Sequence, residues 1–114
     1  MENCIFCKIV NGEIPSDRVY EDEYVISIKD IKPEAPIHVL IMPKKHINSI
    51  NDVKEEDLQI ISHIFKVAQK IAKQLGVAES GYRIITNCGK DGGQTVEHLH
   101  FHLLGGKSLP ISIG

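Results

Sequence analysis

From His98 to Leu103 imidazole and apolar side chains alternate without interruption, as His98-Leu99-His100-Phe101-His102-Leu103. A period of two belongs to a β-strand, in which residues i, i+2 and i+4 project from one face. The segment is therefore expected to be a strand over residues 97–104 that buries Leu99, Phe101 and Leu103 and gathers three imidazoles on one surface. A half-buried strand whose polar face happens to be histidine would read the same way. The pattern favours a site without establishing one.

The rest of the chain supplies partners for that strand. Ile5, Phe6, Ile9 and Val10 fall at roughly helical spacing before Asn11-Gly12, which predicts a short N-terminal helix or turn. Val19-Tyr20 and residues 24–28 read as two strands joined at the acidic turn Glu21-Asp22-Glu23, a hairpin. The prolines of Lys32-Pro33-Glu34-Ala35-Pro36 impose a loop, and residues 38–42 form the next strand.

Between Asp52 and Leu75 apolar residues recur every three or four positions, at Leu58, Ile61, Ile64, Phe65, Ala68, Ile71, Ala72 and Leu75, one face of a long helix. Asp52 with Glu55 suits a capping arrangement at its start, and Gly76 suits the left-handed residue at its end. Residues 82–86 complete the strands, before a glycine-containing loop. Successive strands with short connections imply an α+β fold with a mainly antiparallel five-stranded sheet. One long amphipathic helix covers one face; the other must meet a partner chain or carry the site.

Composition narrows the function. With 114 residues the chain suits one compact domain, residues 1–114, and 42% hydrophobic with 25% charged residues is ordinary for a globular protein. A formal net charge of -2 gives no basic field for holding a nucleic acid polymer. No apolar run approaches the ~20 residues needed to cross a bilayer, and the start lacks a basic segment leading into an apolar stretch, so no membrane role and a cytoplasmic location are expected. Of three cysteines, Cys4 and Cys7 are too close for a stabilising loop-closing disulfide, which leaves metal binding or free thiols. Their C-x-x-C spacing lets two thiolates reach one tetrahedral Zn²⁺, with two further ligands from elsewhere in the chain. Cys88 reads as buried filler, and His63, beside the helix face, has no assigned role.

Imidazole titrates near pH 6.5, so one ring can be a neutral nucleophile while a neighbour carries a proton for a leaving group. Attack on phosphorus by a ring nitrogen would divide one displacement into two in-line steps. Gly92-Gly93-Gln94-Thr95, just before the histidines, offers backbone that can approach an anion closely.

The string from His98 to Gly106 resembles the motif of the histidine triad family of nucleotide hydrolases and transferases. Ile5-Phe6-Cys7-Lys8-Ile9, Glu13-Ile14-Pro15, Asp30-Ile31-Lys32-Pro33, His38, Pro43-Lys44-Lys45-His46-Ile47 and Asp91-Gly92-Gly93-Gln94 resemble segments of its nucleotide-binding branch. The resemblance implies a homodimer with a sheet continuous across the interface, and hydrolysis of purine nucleoside phosphoramidates such as adenosine 5′-monophosphoramidate. It implies that His100 is the nucleophile, that His102 binds phosphate and assists the leaving group, and that His38 lies behind them. Asn87, Gly93, Gln94 and Thr95 would line the phosphate, Asp30 would hold the ribose hydroxyls, and Phe6, Ile9, Ile14, Ile28, Ile31 and Leu40 would form the base pocket. On composition alone those apolar residues read as core. In bacterial and archaeal members that carry the cysteine pair, the other metal ligands match His46 and His98, which gives a structural Cys₂His₂ zinc site and no need for a catalytic metal.

Thr95 stands where many members carry serine, and the tail over residues 108–114 lacks the tryptophan-containing ending of many animal relatives. His102, rather than glutamine, resembles the hydrolase branches and not the uridylyltransferases. Two other functions share these features: cleavage of dinucleoside polyphosphates, and a non-catalytic nucleotide-binding adaptor.

Overall fold

The computed structural model describes residues 3–111, so Ser112, Ile113 and Gly114 of the tail lie outside the described residues, as do Met1 and Glu2. Strands β1 (Arg18–Glu21), β2 (Val25–Lys29), β3 (Ile37–Pro43), β4 (Tyr82–Ile85) and β5 (Phe101–Gly105) form one antiparallel sheet in the order β1-β2-β3-β5-β4. Helix α1 spans Ile5–Val10 and helix α2 Leu58–Gln74. This is the α+β architecture expected from the sequence. No helix among the described residues is long and apolar enough to cross a membrane.

The hairpin forms where the acidic turn was read. The Asp22 carboxylate accepts the Tyr24 and Val25 amides, both at 2.9 Å, which closes the turn by a local side-chain bond. Asp22 also takes the Tyr20 hydroxyl at 2.7 Å and lies 2.6 Å from His63 Nε2, so His63 ties α2 to the hairpin. Burial alone would raise the Asp22 carboxyl, but hydrogen bonds from His63, Tyr20 and the two amides hold it well below the usual carboxylate range.

Helix α2 begins later than the capping reading of Asp52 and Glu55 predicts. Two 3₁₀ turns, Ile50–Asp52 and Glu55–Asp57, occupy that stretch. Asp52 receives the Ser49 hydroxyl at 2.7 Å, while buried Asp57 takes the Lys54 amide at 3.0 Å and Lys45 Nζ at 2.6 Å. The end of the helix agrees with the sequence. Gly76 has φ +78°, and the Gly76 and Val77 amides return to the Lys73 and Ala72 carbonyls, satisfying the last turn.

Ile64, Val67, Ala68, Ile71 and Ala72 of α2 are buried against Val25, Val39, Ile41, Leu99, Phe101 and Leu103. Leu58 and Phe65, assigned to the same face by spacing, remain 53% and 50% exposed. The opposite face of the sheet is not left to a partner alone: α1 lays Phe6 and Ile9 on Ile26, Ile28, Leu40 and Met42.

The predicted strand over residues 97–104 is instead β5, Phe101–Gly105. Its register pairs Val39 with Leu103 and Ile41 with Phe101, so two residues further along each strand it would set Leu99 against Pro43, which has no amide to donate. The Leu99 amide turns to the Ile47 carbonyl at 2.6 Å, and the Thr86 hydroxyl donates to the His100 carbonyl at 2.9 Å. His98 and His100 therefore stand just beyond the ladder, while Leu99 still enters the core.

Ser27 is fully buried on β2, on the face of Val25 and Ile41, and its hydroxyl has no hydrogen-bond partner. An orphaned hydroxyl keeps its desolvation cost without compensation. Ser27→Ala should raise stability by about 1 kcal/mol, seen as a higher urea midpoint at an unchanged slope; a lowered midpoint would contradict this account of the core.

Candidate functional site

Two clusters of imidazoles meet on the α1 side of the sheet. His38 on β3 and His102 on β5 are diagonal neighbours, since His38 pairs with Leu104 and His102 with Leu40. Their Nε2 and Nδ1 atoms lie 2.9 Å apart. The His100 and His102 ring centroids are 5.2 Å apart, and the Phe6 ring meets His100 edge-on at 5.0 Å and His98 at 5.8 Å.

The hydrogen bonds fix which nitrogen of each ring carries the proton. His100 Nδ1 lies 2.7 Å from the His98 carbonyl, and a carbonyl only accepts, so Nδ1 bears the hydrogen and the neutral ring keeps a lone pair on Nε2. The Glu34 amide donates to His38 Nδ1 at 3.1 Å, so His38 carries its proton on Nε2 and donates it to His102 Nδ1. His102 is then left with a donor at Nε2. The site can thus present one ring nitrogen as a nucleophile or base and another as an acid.

Burial pushes the His100 and His102 rings below the ordinary histidine value. For His102 the neighbouring His100 and His38 add to the effect, and for both rings the Asp30 carboxylate opposes it. Asp30 Oδ2 is 3.4 Å from His38 Nε2, while Oδ1 accepts the Lys32 amide at 2.8 Å.

The second cluster joins distant parts of the chain. Cys4, Cys7, His46 and His98 bring one donor atom each within 4.8 Å of one another. Cys4 caps α1 by accepting the Cys7 amide on its sulfur at 3.3 Å. Cys4 Sγ lies 3.3 Å from His98 Nδ1, and Cys7 Sγ lies 3.2 Å from His46 Nδ1.

Each of these histidines is held from behind. His98 Nε2 donates to the Pro43 carbonyl at 2.8 Å and His46 Nε2 to Asn48 Oδ1 at 2.6 Å, which turns both Nδ1 lone pairs toward the thiols. Burial holds His98 at about 4, and burial with the adjacent Cys4 pushes the Cys7 thiol up to about 11. Two sulfurs and two oriented imidazole nitrogens make a donor set suited to a tetrahedral ion of the zinc kind, whose charge would reverse the thiol shift. Cys88 takes no part in the cluster.

The other residues singled out in the sequence divide. Phe6, Ile9, Ile28 and Leu40 line one apolar cluster with Ile14 packed against it, but Ile31 is 92% exposed and stands apart. In the glycine loop, the Gln94 side chain accepts the Gly89 amide at 2.9 Å and donates to the Asn48 and Val96 carbonyls at 2.7 and 3.0 Å. The Gly93 and Gln94 amides close on Lys90 and Gly89 within the loop. These groups brace the loop rather than face outward, while Thr95 is exposed and Asn87 half-buried. A Cβ on Gly92 would overlap the Cys88 carbonyl oxygen.

Sequence reasoning missed Pro43, Ile47, Asn48 and Thr86, which orient the histidines through main-chain or amide oxygens. Only Pro43 carried a readable signal, as a residue unable to continue a ladder.

Residues 3–111 match the family described as scavenger mRNA decapping enzyme, C-terminal binding. A protein of Escherichia coli K12 named purine nucleoside phosphoramidase is 51% identical over 108 residues, covering 95% of this chain and 91% of its own length. A histidine triad protein from Clostridium difficile superposes with a TM-score of 0.96 at 52% identity over 99% of this chain and 98% of its own. A HIT family hydrolase from Clostridium thermocellum gives 0.96 at 57%, with the same coverage. With its imidazoles gathered on and just before β5, beside His38 of β3, and likeness over nearly its whole length, the chain belongs to the histidine triad family.

Proposed function

We propose that this protein hydrolyses purine nucleoside 5′-phosphoramidates, such as adenosine 5′-monophosphoramidate, to the nucleoside monophosphate through a nucleotide carried on His100. The observation that carries the reading is the buried His100 ring, with Nδ1–H held by the His98 carbonyl and a lone pair left on Nε2. The name of the Escherichia coli relative supports the substrate class.

In the first step His100 Nε2 bonds to phosphorus as the phosphorus–nitrogen bond to the amine breaks. The leaving amine takes the proton of His102 Nε2, and the negative charge left on His102 is offset by the His38 Nε2–H at its Nδ1 and by the positive charge gained by the His100 ring, until water restores the proton. The His98 carbonyl faces the positive charge that develops on the His100 ring, and His38 holds His102 in the donating tautomer. In the second step water attacks phosphorus and gives a proton to His102 Nε2, and the bonding pair returns to His100 Nε2. Asp30 takes the ribose hydroxyls in this reading. Asn87 and Thr95 face the phosphate on a loop shaped by Gly93 and Gln94, and Phe6, Ile9, Ile14, Ile28 and Leu40 offer the base an apolar wall.

Zinc is the ion we assign to Cys4, Cys7, His46 and His98, as a closed structural centre. The donor set and the backing hydrogen bonds support it. A homodimer is supported by β4, which pairs on one side only among the described residues, and by half-exposed Leu58 and Phe65 on α2.

His100→Ala should lower AMP release from adenosine 5′-monophosphoramidate by about a thousandfold or more. Wild-type protein quenched during turnover should carry a nucleotide mass on the peptide containing His100. Unchanged hydrolysis in the variant would refute the mechanism, and faster release from a diadenosine polyphosphate would move the substrate to that class.

Because burial depresses His100, its neutral form persists below the ordinary histidine value, and activity is lost only as pH falls through the depressed pKa. The acid limb of kcat/KM should therefore lie below about pH 6.5; a limb at or above that value would contradict the assignment. Elemental analysis of protein never exposed to chelator should find about one zinc per chain, with only Cys88 reacting readily with a thiol reagent. A zinc content near zero with Cys4 and Cys7 titrating freely would rule the centre out.

A further inference from the structure

The cysteine–histidine cluster and the catalytic imidazoles read from the sequence as separate devices, one tying down the N-terminus and one doing chemistry. They share a peptide group. The carbonyl that holds His100 Nδ1–H is that of His98, whose own ring belongs to the cluster. We propose that His98 is a positioning residue that couples the two: filling the cluster with a metal ion fixes the peptide unit between His98 and Leu99, and that peptide aims the His100 ring. This rests on the reading of His100 as the nucleophile.

The peptide unit is planar, so the His98 carbonyl and the Leu99 amide turn together. One side of that plane is bound by the Leu99 amide to the Ile47 carbonyl at 2.6 Å, and the other receives His100 Nδ1–H at 2.7 Å. The segment from Pro43 to Ile47 grips residues 98–99 three times. His98 Nε2 bonds Pro43, the Leu99 amide bonds Ile47, and His46 meets His98 in the cluster, with ring centroids 4.9 Å apart.

Only the third of these grips would be tightened by a metal ion bound between the two rings. A second route runs through α1. Phe6 lies between the two cluster cysteines in sequence and sets its ring edge-on to both His98 and His100. Residues 97–100 have no sheet ladder to hold them, so these contacts are what orients the His100 ring. Rotation of the peptide plane would swing its carbonyl off Nδ1 and release the ring, and with it the direction of the Nε2 lone pair.

A cleft of about 550 Å³ lies beside the cluster, with Cys4, His46, Asn48 and Thr95 among the residues that line it.

The test uses the full chain labelled with ¹⁵N at histidine, loaded with Zn²⁺, stripped by chelator and reloaded. The loaded protein should give a protected His100 Nδ1–H resonance that broadens or exchanges at least about tenfold faster on stripping and returns on reloading. The His63 ring, on α2, should not follow it. In parallel, stripping should lower kcat by about ten- to a hundredfold while KM moves less than about threefold, as for a misaimed nucleophile.

A cluster that only stabilised the fold would leave the His100 resonance of the remaining folded molecules in place. That result would overturn the proposal. If the stripped chain unfolds, replacing Zn²⁺ by the larger Cd²⁺ in folded protein should shift the His100 resonance and not that of His63, and an unmoved His100 resonance would again overturn it. Lack of hydrolysis by the loaded protein would remove the reading of His100 as nucleophile, while the resonance, which needs no substrate, would still decide the coupling.

Discussion

Everything at the site depends on where the ladder between β3 and β5 stops. Strand β4 holds β5 as far as His102 and β3 holds it as far as Phe101, and two residues beyond Ile41 and Phe101 the register would set Leu99 against Pro43, which has no amide to offer. From there toward the N-terminus the main chain must satisfy its polar groups elsewhere. The Leu99 amide goes to Ile47, the His98 carbonyl to the His100 ring, and the His100 carbonyl to Thr86. A continuous strand would spend these carbonyls on a neighbour. Its interruption frees one of them to hold an imidazole.

Burying several imidazoles close together is costly for the charged form, so His98, His100 and His102 are all held below the ordinary value. A neutral ring has one donor and one acceptor nitrogen, and the structure ties one of them in every case. In His46 and His98 the tied atom is Nε2, bound to Asn48 and Pro43, and Nδ1 faces the thiols. In His100 and His102 the tied atom is Nδ1, and Nε2 is left free of those bonds. One rule, applied from opposite ends of the ring, sets His98 with His46 toward the thiols and leaves His100 and His102 a free Nε2 for chemistry. The triad is not three equivalent side chains.

What the sequence made legible was local. Alternation from His98 to Leu103 identified the buried and imidazole faces, periodicity found α2, and Gly76 marked its end. The C-x-x-C spacing flagged the thiols that meet His46 and His98. The misplacements are non-local. The early start assigned to β5 needed the partner register that sets Leu99 against Pro43. The start of α2 depends on Asp57 being engaged by Lys45, twelve residues earlier. Gln94 looks like an outward polar group until Gly89, Asn48 and Val96 are seen to consume its amide. Ile31, which composition alone assigns to the core, stands exposed in the loop between β2 and β3.

The choice of a main-chain carbonyl behind His100 has an electrostatic reason. A carboxylate at Nδ1 would fix the same tautomer, but its full charge would raise the ring's pKa and favour imidazolium, which has no lone pair to attack with. A neutral carbonyl orients the ring while burial keeps it unprotonated. The nearby carboxylate, Asp30, is held one ring further back. Its Oδ2 is 3.4 Å from His38, and only a through-space influence reaches His100 and His102. That distance lets Asp30 favour positive charge on the imidazoles as it develops without fixing a proton on His100 beforehand. The His98 carbonyl both orients the ring and, as an acceptor at Nδ1, favours its charged form, with Asp30 adding to that pull from further off; burial outweighs both, and so the lone pair on Nε2 stays free.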